Sequence, residues 1–212
     1  MLNMPDLPVK YVDGKRHYGT PEGKWYPSVT TVLSCIPKPE LVAWREAIGD
    51  EEADRQTKVA SVIGNRLHDT CEKYLRGEEW REGLMPDILE LFRTIQPHID
   101  HIEEVWGIET PLYSDYLRIG GRTDVIGVWD DVPSIIDFKN SRISRSKDFV
   151  RAYFMQEAAY AVAVEERTGQ GIPQLVTIMA CREDPQPCIF VESRNDWIKE
   201  FIQVRKDYAA LV

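Results

Sequence analysis

The sequence lacks any apolar run of the roughly eighteen residues that a membrane-spanning helix requires. Its first residues, MLNMPDLPVK, contain neither the apolar segment of a secretion signal nor the arginine-rich, acid-poor pattern of a mitochondrial leader. These absences predict an intracellular, soluble protein with no membrane partner. They favour the cytoplasm of a bacterium or of a phage-infected host over a mitochondrion.

Internal repeats and low-complexity linkers are also absent, so the 212 residues are expected to form one domain with, at most, a short appended arm. Cysteine is scarce, and its few positions show no C-x-x-C pair and no zinc-type spacing, which predicts reduced thiols and no iron–sulfur cluster. The four cysteines are Cys35, Cys71, Cys181 and Cys188.

An excess of positive charge is missing as well, because 35 acidic residues outnumber 26 lysines and arginines and give a net charge of -9. This balance argues against a protein that coats nucleic acid without selectivity. A local basic segment could still bind a polyanion, so charge has to be considered segment by segment.

The periodicity of the apolar residues predicts an α/β (α+β) domain with a central mixed β-sheet flanked by helices. A hairpin signal at Asp13-Gly14 predicts a small N-terminal β arm, and Ser28 is a plausible N-cap for the helix that follows. The predicted helices cover 28–36, 41–48, 51–75, 86–105, 146–167 and 196–211. The predicted strands cover 106–113, 116–119, 122–129, 134–140, 175–181 and 188–192.

A carboxylate and a lysine share one face of a predicted strand in the stretch IIDFKNSRISR, because Asp137 and Lys139 are two residues apart. The preceding strand contains Asp124, and the short turn D-D-V-P predicts that the two strands form an antiparallel hairpin. A turn centred on Asp131 and Val132 would set Asp124 opposite Lys139 and near Asp137.

Two carboxylates this close repel each other unless a cation lies between them, and hard oxygen ligands suit Mg²⁺ or Mn²⁺. A neighbouring ammonium can orient an attacking water and stabilise the charge that builds on a phosphoryl group. Gly120 and Gly121 would allow the backbone of a bulky substrate to approach closely. The set Asp124, Asp137 and Lys139 therefore predicts metal-assisted hydrolysis of phosphodiesters.

Four motifs in this order resemble those of the PD-(D/E)XK nuclease superfamily: G-x-x-x-H at 64–68, G-x-x-D at 121–124, D-x-K at 137–139 and Q-x-x-x-Y at 156–160. Within it they are similar to the RecB-like exonuclease branch, which includes mitochondrial genome maintenance exonucleases and related phage proteins. The segment YPSVTTVL resembles the segment before their core. The resemblance covers roughly residues 25–170 and implies a restriction-endonuclease-like core over 28–212, with a β-hairpin arm over 1–27.

The resemblance also implies an activity and roles for individual residues. It implies a Mg²⁺- or Mn²⁺-dependent exonuclease, with one or two ions, that acts on single-stranded DNA or free DNA ends. The implied metal ligands are His68, Asp124, Asp137 and the main-chain carbonyl of Phe138. Lys139 would serve catalysis together with the two aspartates, and Gln156 and Tyr160 would contact the DNA strand. Asn140 departs from the threonine that is common in relatives at this position.

Other polar residues near these motifs have two interpretations each. Glu72, one helical turn after His68, is expected to orient the histidine. Glu109 is either an extra ligand for a second ion or, as we expect, a solvated strand charge. A basic strip follows the D-x-K strand and predicts contact with DNA phosphates, although solvated charge would look the same. The strip consists of Arg142, Arg145, Lys147 and Arg151.

Three alternatives to the exonuclease remain open at the level of the sequence. The first is a structure-selective or flap endonuclease on the same fold. The second is a non-catalytic nucleic-acid-binding module, for which clustered carboxylates beside a polyanion have no evident use. The third is a metal-dependent protein unrelated to nucleic acid, which leaves the basic strip and Q-x-x-x-Y unexplained.

Overall fold

The N-terminal arm is a three-stranded antiparallel sheet in this computed structural model, which describes residue 2 and residues 4–211. Its strands are β1 (Val9–Val12), β2 (Lys15–Gly19) and β3 (Trp25–Pro27). The predicted turn at Asp13-Gly14 is confirmed, since both residues have positive φ and Val12 pairs with Lys15. The third strand follows a second turn, in which Gly23 has positive φ, and extends the predicted hairpin. The predicted limits at residues 1 and 212 lie outside the described residues.

The central sheet has five strands in the order β4-β5-β6-β7-β8. Their bounds are β4 (Ile102–Ser114), β5 (Ile119–Trp129), β6 (Val132–Ser141), β7 (Gln174–Cys181) and β8 (Cys188–Ser193). Neighbours are antiparallel except β6 and β7, which are parallel and are connected by a long helix. The predicted mixed sheet flanked by helices is therefore confirmed.

The described residues form six helices, which are α1 (Val29–Leu33), α2 (Pro39–Ile48), α3 (Asp50–Arg76), α4 (Pro86–Ile99), α5 (Lys147–Thr168) and α6 (Arg194–Leu211). All except α2, which packs against α3, cover the two faces of this sheet. Helices α3 and α4 pack their apolar stripes on one face, while α1, α5 and α6 pack on the other. Ser28 caps α1, as predicted, by accepting a hydrogen bond from the Thr31 N–H. None of the helices in the described part of the chain is long and apolar enough to cross a membrane.

Two predicted element boundaries are wrong. Helix α4 ends at Ile99 rather than at residue 105, because the chain from Ile102 onward pairs with the end of β5. The predicted strand at 116–119 is instead the turn between β4 and β5, where Ser114 pairs with Ile119 and Arg118 has a φ of 52°. In both places, pairing with a neighbouring strand overrides the local apolar pattern.

Strands β5 and β6 separate halfway along their length. They pair with each other only from Val125–Ile136 to Trp129–Val132. Beyond that point β5 pairs with β4 and bridges to Ser28 through Gly120, whereas β6 pairs with β7. We call the opening between segments 119–124 and 137–141 the strand fork.

Candidate active site

Two aspartates lie at the point where the strand fork opens. Residues Asp130 and Asp131 both have positive φ and form the hairpin turn, which places Trp129 opposite Val132. The pair Val125–Ile136 is the last before the fork, so Asp124 and Asp137 are the next residues on the two strands. The prediction that Asp124 faces Lys139 is wrong, because the turn is centred one residue earlier than expected.

Asp124 connects the two strands and helix α3. Its Oδ2 accepts a hydrogen bond of 2.8 Å from the Phe138 N–H and lies 3.3 Å from His68 Nδ1. Residue 68 reaches the fork because α3 crosses the sheet above Phe138, whose ring it meets edge-on. The carbonyl of Phe138 accepts a hydrogen bond from the Lys139 ammonium. The structure thus brings His68, Asp124 and the main chain of Phe138 together.

Asp137 is 1% exposed and is surrounded by polar partners from its own strand and from α5. Its carboxylate forms an ion pair with Lys139 and accepts a 2.9 Å hydrogen bond from Gln156 Nε2. Burial raises the pKa of Asp137 to about 6, against the opposing effect of the Lys139 charge. Burial alone would lower the pKa of Lys139, but the charges of Asp137 and Asp124 outweigh it and raise that pKa. The two aspartates therefore favour the charged form of Lys139.

Glu109 joins the site from β4, on the other side of Asp124. It lies between the pairs Ile108–Val125 and Thr110–Thr123, which sets it beside Asp124 across the two strands. Burial raises the pKa of Glu109, and the charge of Asp124 raises it further. Its φ of 48° is unusual for a residue that is not glycine, and such backbone conformations are concentrated at functional sites.

One nitrogen of His68 and one carboxylate oxygen each of Glu109 and Asp124 lie within 4.8 Å of one another. This spacing and this donor set fit a divalent cation, which would also relieve the repulsion between the two carboxylates. The sequence alone favours a solvated strand charge for Glu109. The signal that places Glu109 here is the β4–β5 hairpin register, which depends on a turn that was predicted as a strand.

Glu72 lines the same small cleft as His68 and Glu109. Its carboxylate is paired with Arg76, one turn further along α3, at 2.7 Å. The carboxylate of Glu72 therefore lies close to the site, but Arg76 already compensates its negative charge.

Side chains from other segments of the chain occupy the space beside the glycines of the motifs. A Cβ on Gly64 would lie 2.7 Å from Asn140 Nδ2, and a Cβ on Gly121 would lie 2.5 Å from the Tyr160 ring. On the opposite side, Gly120 is in the same relation to Tyr18. These glycines admit side chains of the same chain, so the expectation that they admit a substrate backbone is not met. Tyr160 itself is 3% exposed.

The basic strip is largely paired with acidic residues from distant parts of the chain. Arg142 pairs with Glu183 at 3.7 Å and Lys147 with Glu192 at 2.7 Å. Arg151 forms an ion pair with Glu200 on α6. Arg145 differs, since it donates to Ser141 Oγ and lies over the ring of Phe149.

Glu157 is a fully buried carboxyl on α5 behind the fork, and none of the four sequence motifs indicates it. One of its oxygens accepts a hydrogen bond from Thr177, the residue that pairs with Asp137 on β7. Its other oxygen has no hydrogen-bond partner among the described residues. Burial raises the pKa of Glu157 well above its ordinary value, and Asp137 adds to the shift. A charged residue inside the otherwise apolar stretch MQEAAYAVAV was the available signal.

The match to a family model agrees with this geometry. Residues 35–203 match the family model described as the PD-(D/E)XK nuclease superfamily. Among curated proteins, none matches the sequence. A solved structure titled "Crystal structure of SSO0001" is 13% identical, with 87% of this chain and 74% of that chain covered and a TM-score of 0.43. The family match spans most of the chain and includes every residue of the strand fork, and the chain therefore belongs to the PD-(D/E)XK nuclease superfamily.

Proposed function

We propose that the protein is a Mg²⁺- or Mn²⁺-dependent deoxyribonuclease of the RecB-like branch that degrades single-stranded DNA or DNA from free ends. Membership of the superfamily makes it a phosphodiester hydrolase with a nucleic-acid substrate. The observation that carries the proposal is the row Glu109, Asp124 and Asp137 on three adjacent strands, with His68 on one side and Lys139 on the other. The four motifs of the RecB-like branch support the choice of DNA ends.

The residues that would hold the ion are His68, Glu109 and Asp124, with Asp137 and the Phe138 carbonyl completing the site. A bound divalent cation would supply Lewis-acid stabilisation to the phosphoryl group. Imidazole and carboxylate donors in one set suit Mn²⁺ as well as Mg²⁺.

Lys139 would stabilise the negative charge that develops on the phosphoryl oxygens and hold the attacking water in place. Against the effect of burial, the neighbouring aspartates raise its pKa and favour the charged ammonium, which suits this role. Gln156 fixes one oxygen of Asp137 and so orients the carboxylate. Tyr160 fills the space beside Gly121. It would support the Asp137 carboxylate rather than contact the substrate directly.

We further propose that residues 28–212 form the nuclease domain and that residues 1–27 form an accessory arm. The family match lies wholly within the first of these ranges. The arm is attached to the body through an apolar cluster of Leu7, Tyr18 and Tyr113.

The test is a gel assay of end-labelled linear DNA and closed circular single-stranded DNA with Mg²⁺, Mn²⁺ or chelator. Wild type is compared with Lys139→Ala and with Lys58→Ala, in which an exposed lysine of α3 is removed as a control. Metal-dependent loss of the linear strand alone, absent only in Lys139→Ala, is the expected result.

Other outcomes have definite meanings. Cutting of the circle would replace the exonuclease by a structure-selective or flap endonuclease. Binding without cleavage of either substrate would refute the catalytic proposal and favour a nucleic-acid-binding module.

A further inference from the structure

The cations of the arm differ from those of the basic strip in their partners. Three of the four strip residues form ion pairs with carboxylates. On the arm, Lys24 pairs with Asp115, but within the described residues no carboxylate lies in ion-pair range of Lys10, Lys15 or Arg16. In a protein with a net charge of -9, cations without a nearby carboxylate attract anions, and Arg16 lies on one face of the arm while Lys10 and Lys15 lie on the other.

We propose that the arm carries a binding site for single-stranded nucleic acid, formed by Tyr11 and Arg16, that guides the strand toward the fork. The inference rests on the proposed function, because it assigns a substrate contact to the same enzyme. It concerns residues that neither the motifs nor the family match includes, since the match begins at residue 35.

Strand pairing sets the two side chains next to each other. Tyr11 and Arg16 are direct partners across β1 and β2, and antiparallel partners share a face of the sheet. Tyr11 is 68% exposed, although the exposure of an aromatic ring to water is unfavourable. The guanidinium of Arg16 lies 5.5 Å from the Tyr18 ring centroid, and its one hydrogen bond, to Thr30 Oγ1, is long at 3.4 Å.

The side chains of Tyr11 and Arg16 suit single-stranded nucleic acid as the ligand. Aromatic rings stack on bases without regard to sequence, and arginine binds the phosphate next to a stacked base. The phenol of Tyr11 can stack on a base, and the guanidinium of Arg16, which no carboxylate of the described residues neutralises, can bind the adjoining phosphate. A protein partner would require a larger apolar surface than Tyr11 and its neighbour Val9 expose on this face of the arm.

The position of this pair leads directly to the site. Tyr18, two residues after Arg16 on the same face, packs against Gly120 of β5. Gly120 is four residues before Asp124 on that strand, a distance of roughly 13 Å at the usual rise of a β-strand. Hydrogen bonds from Lys24 and Tyr26 to Asp115 hold the arm on the body. A strand bound at Tyr11 and Arg16 would thus run along a fixed surface into the fork.

The other face of the arm supplies a matched control. Lys10 pairs with His17 across the strands, and its ammonium lies 4.1 Å from the centroid of the Trp25 ring. Lys10→Gln removes the same charge as Arg16→Gln, but from the opposite face. Tyr116, which is 73% exposed in the β4–β5 turn, is the matched control for the ring.

The experiment measures binding of a fluorescent single-stranded oligothymidylate by anisotropy in the presence of chelator, so that no cleavage occurs. Tyr11→Ser is expected to weaken binding about 5- to 100-fold and Tyr116→Ser less than twofold. Arg16→Gln is expected to lower the slope of log affinity against log salt by about 0.7, and Lys10→Gln to leave it nearly unchanged. All four variants should hydrolyse bis(p-nitrophenyl) phosphate as fast as wild type, because this small diester does not reach the arm.

Several results would overturn the inference. One is wild-type affinity in Tyr11→Ser; another is an equal loss in Arg16→Gln and Lys10→Gln, which would show only a diffuse charge effect. Failure of the wild type to bind the oligonucleotide would do so too. Failure of the wild type to hydrolyse any diester would instead refute the proposed function, and the binding comparison would still decide the role of the arm.

Discussion

The two sides of the strand fork solve the problem of buried charge in different ways. On the β6 side, Asp137 has its own cation in Lys139 and a hydrogen bond from Gln156. On the β5 side, Asp124 and Glu109 lie beside each other and beside His68, and the nearest arginine, Arg122, is at the limit of ion-pair range, 4.0 Å from Glu109. The carboxylate of Asp137 therefore has a close cation within its own strand, whereas the two β5 carboxylates have only a distant one and would gain more from a bound cation. The comparison predicts that matching mutations on the two sides have opposite effects on stability.

The largest effects are expected from the two aspartates. Asp124→Asn and Asp137→Asn should each reduce cleavage at least about a thousandfold, since each removes a charge that positions the reacting groups. Without metal, Asp124→Asn should be as stable as wild type or slightly more stable, because repulsion with Glu109 is relieved. Asp137→Asn should lose about 1–3 kcal/mol, since Lys139 is left without its partner. Urea denaturation in chelator measures both, and equal changes in stability would refute the asymmetry.

Glu109 gives the next largest effect, because it distinguishes a metal ligand from a solvated charge. A ligand at 100 times its dissociation constant stabilises a protein by about 2.7 kcal/mol. Mn²⁺ should therefore raise the melting temperature of the wild type, and Glu109→Gln should lose most of this rise. Glu72→Gln is the control in the same cleft, since Glu72 is already paired with Arg76, and it should retain the rise. Retention of the full rise in melting temperature by Glu109→Gln would show that Glu109 is not a metal ligand.

The course of the chain was predictable wherever one local pattern decided the outcome. The Asp13-Gly14 turn, the Ser28 cap and the alternation that puts Asp137 and Lys139 on one face all follow from neighbouring residues. The register of β5 and β6 was missed because both residues of an Asp-Asp turn adopt positive φ, which side-chain chemistry permits but does not demand. Because the turn is centred one residue earlier than predicted, Asp137 rather than Lys139 is the neighbour of Asp124.

Contacts between distant segments account for the rest of what the sequence did not reveal. The pairing of Gly64 with Asn140 and of Gly121 with Tyr160 depends on how two helices sit against the fork. The acids that neutralise the basic strip come from β8, α6 and the β7–β8 loop, which start more than thirty residues after it. A cluster of like charges in sequence is thus a poor measure of the charge left free after folding.

The carboxyl of Glu157 is a further buried ionisable group, in the interior behind the β6 side of the strand fork. Its folded-state pKa is raised, so the folded protein holds this proton more tightly than the unfolded chain does. Its contribution to stability is therefore fully present below pH 4.5 and is lost as the pH rises toward the folded-state pKa. Glu157→Gln keeps an acceptor for Thr177 without an ionisable proton. It should remove this pH dependence and gain about 1–3 kcal/mol at alkaline pH. Unfolding curves between pH 5 and pH 9 measure it, and parallel curves for the two proteins would contradict the assignment.

The smallest effects are expected in the basic strip, where they sharpen the contrast between free and compensated charge. Arg145 has no carboxylate in ion-pair range within the part of the chain that the structure describes, so Arg145→Gln should lower the salt slope of DNA binding by about 0.7. Lys147→Gln removes a charge that Glu192 already neutralises and should leave the slope nearly unchanged. Stability should change by less than about 0.5 kcal/mol in Arg145→Gln, since this side chain forms no ion pair with the described residues, and by more in Lys147→Gln, because the side chain of its partner Glu192 is only 9% exposed. Equal slopes for the two variants would mean that DNA breaks the Lys147–Glu192 pair on binding, and the strip would then act as a whole.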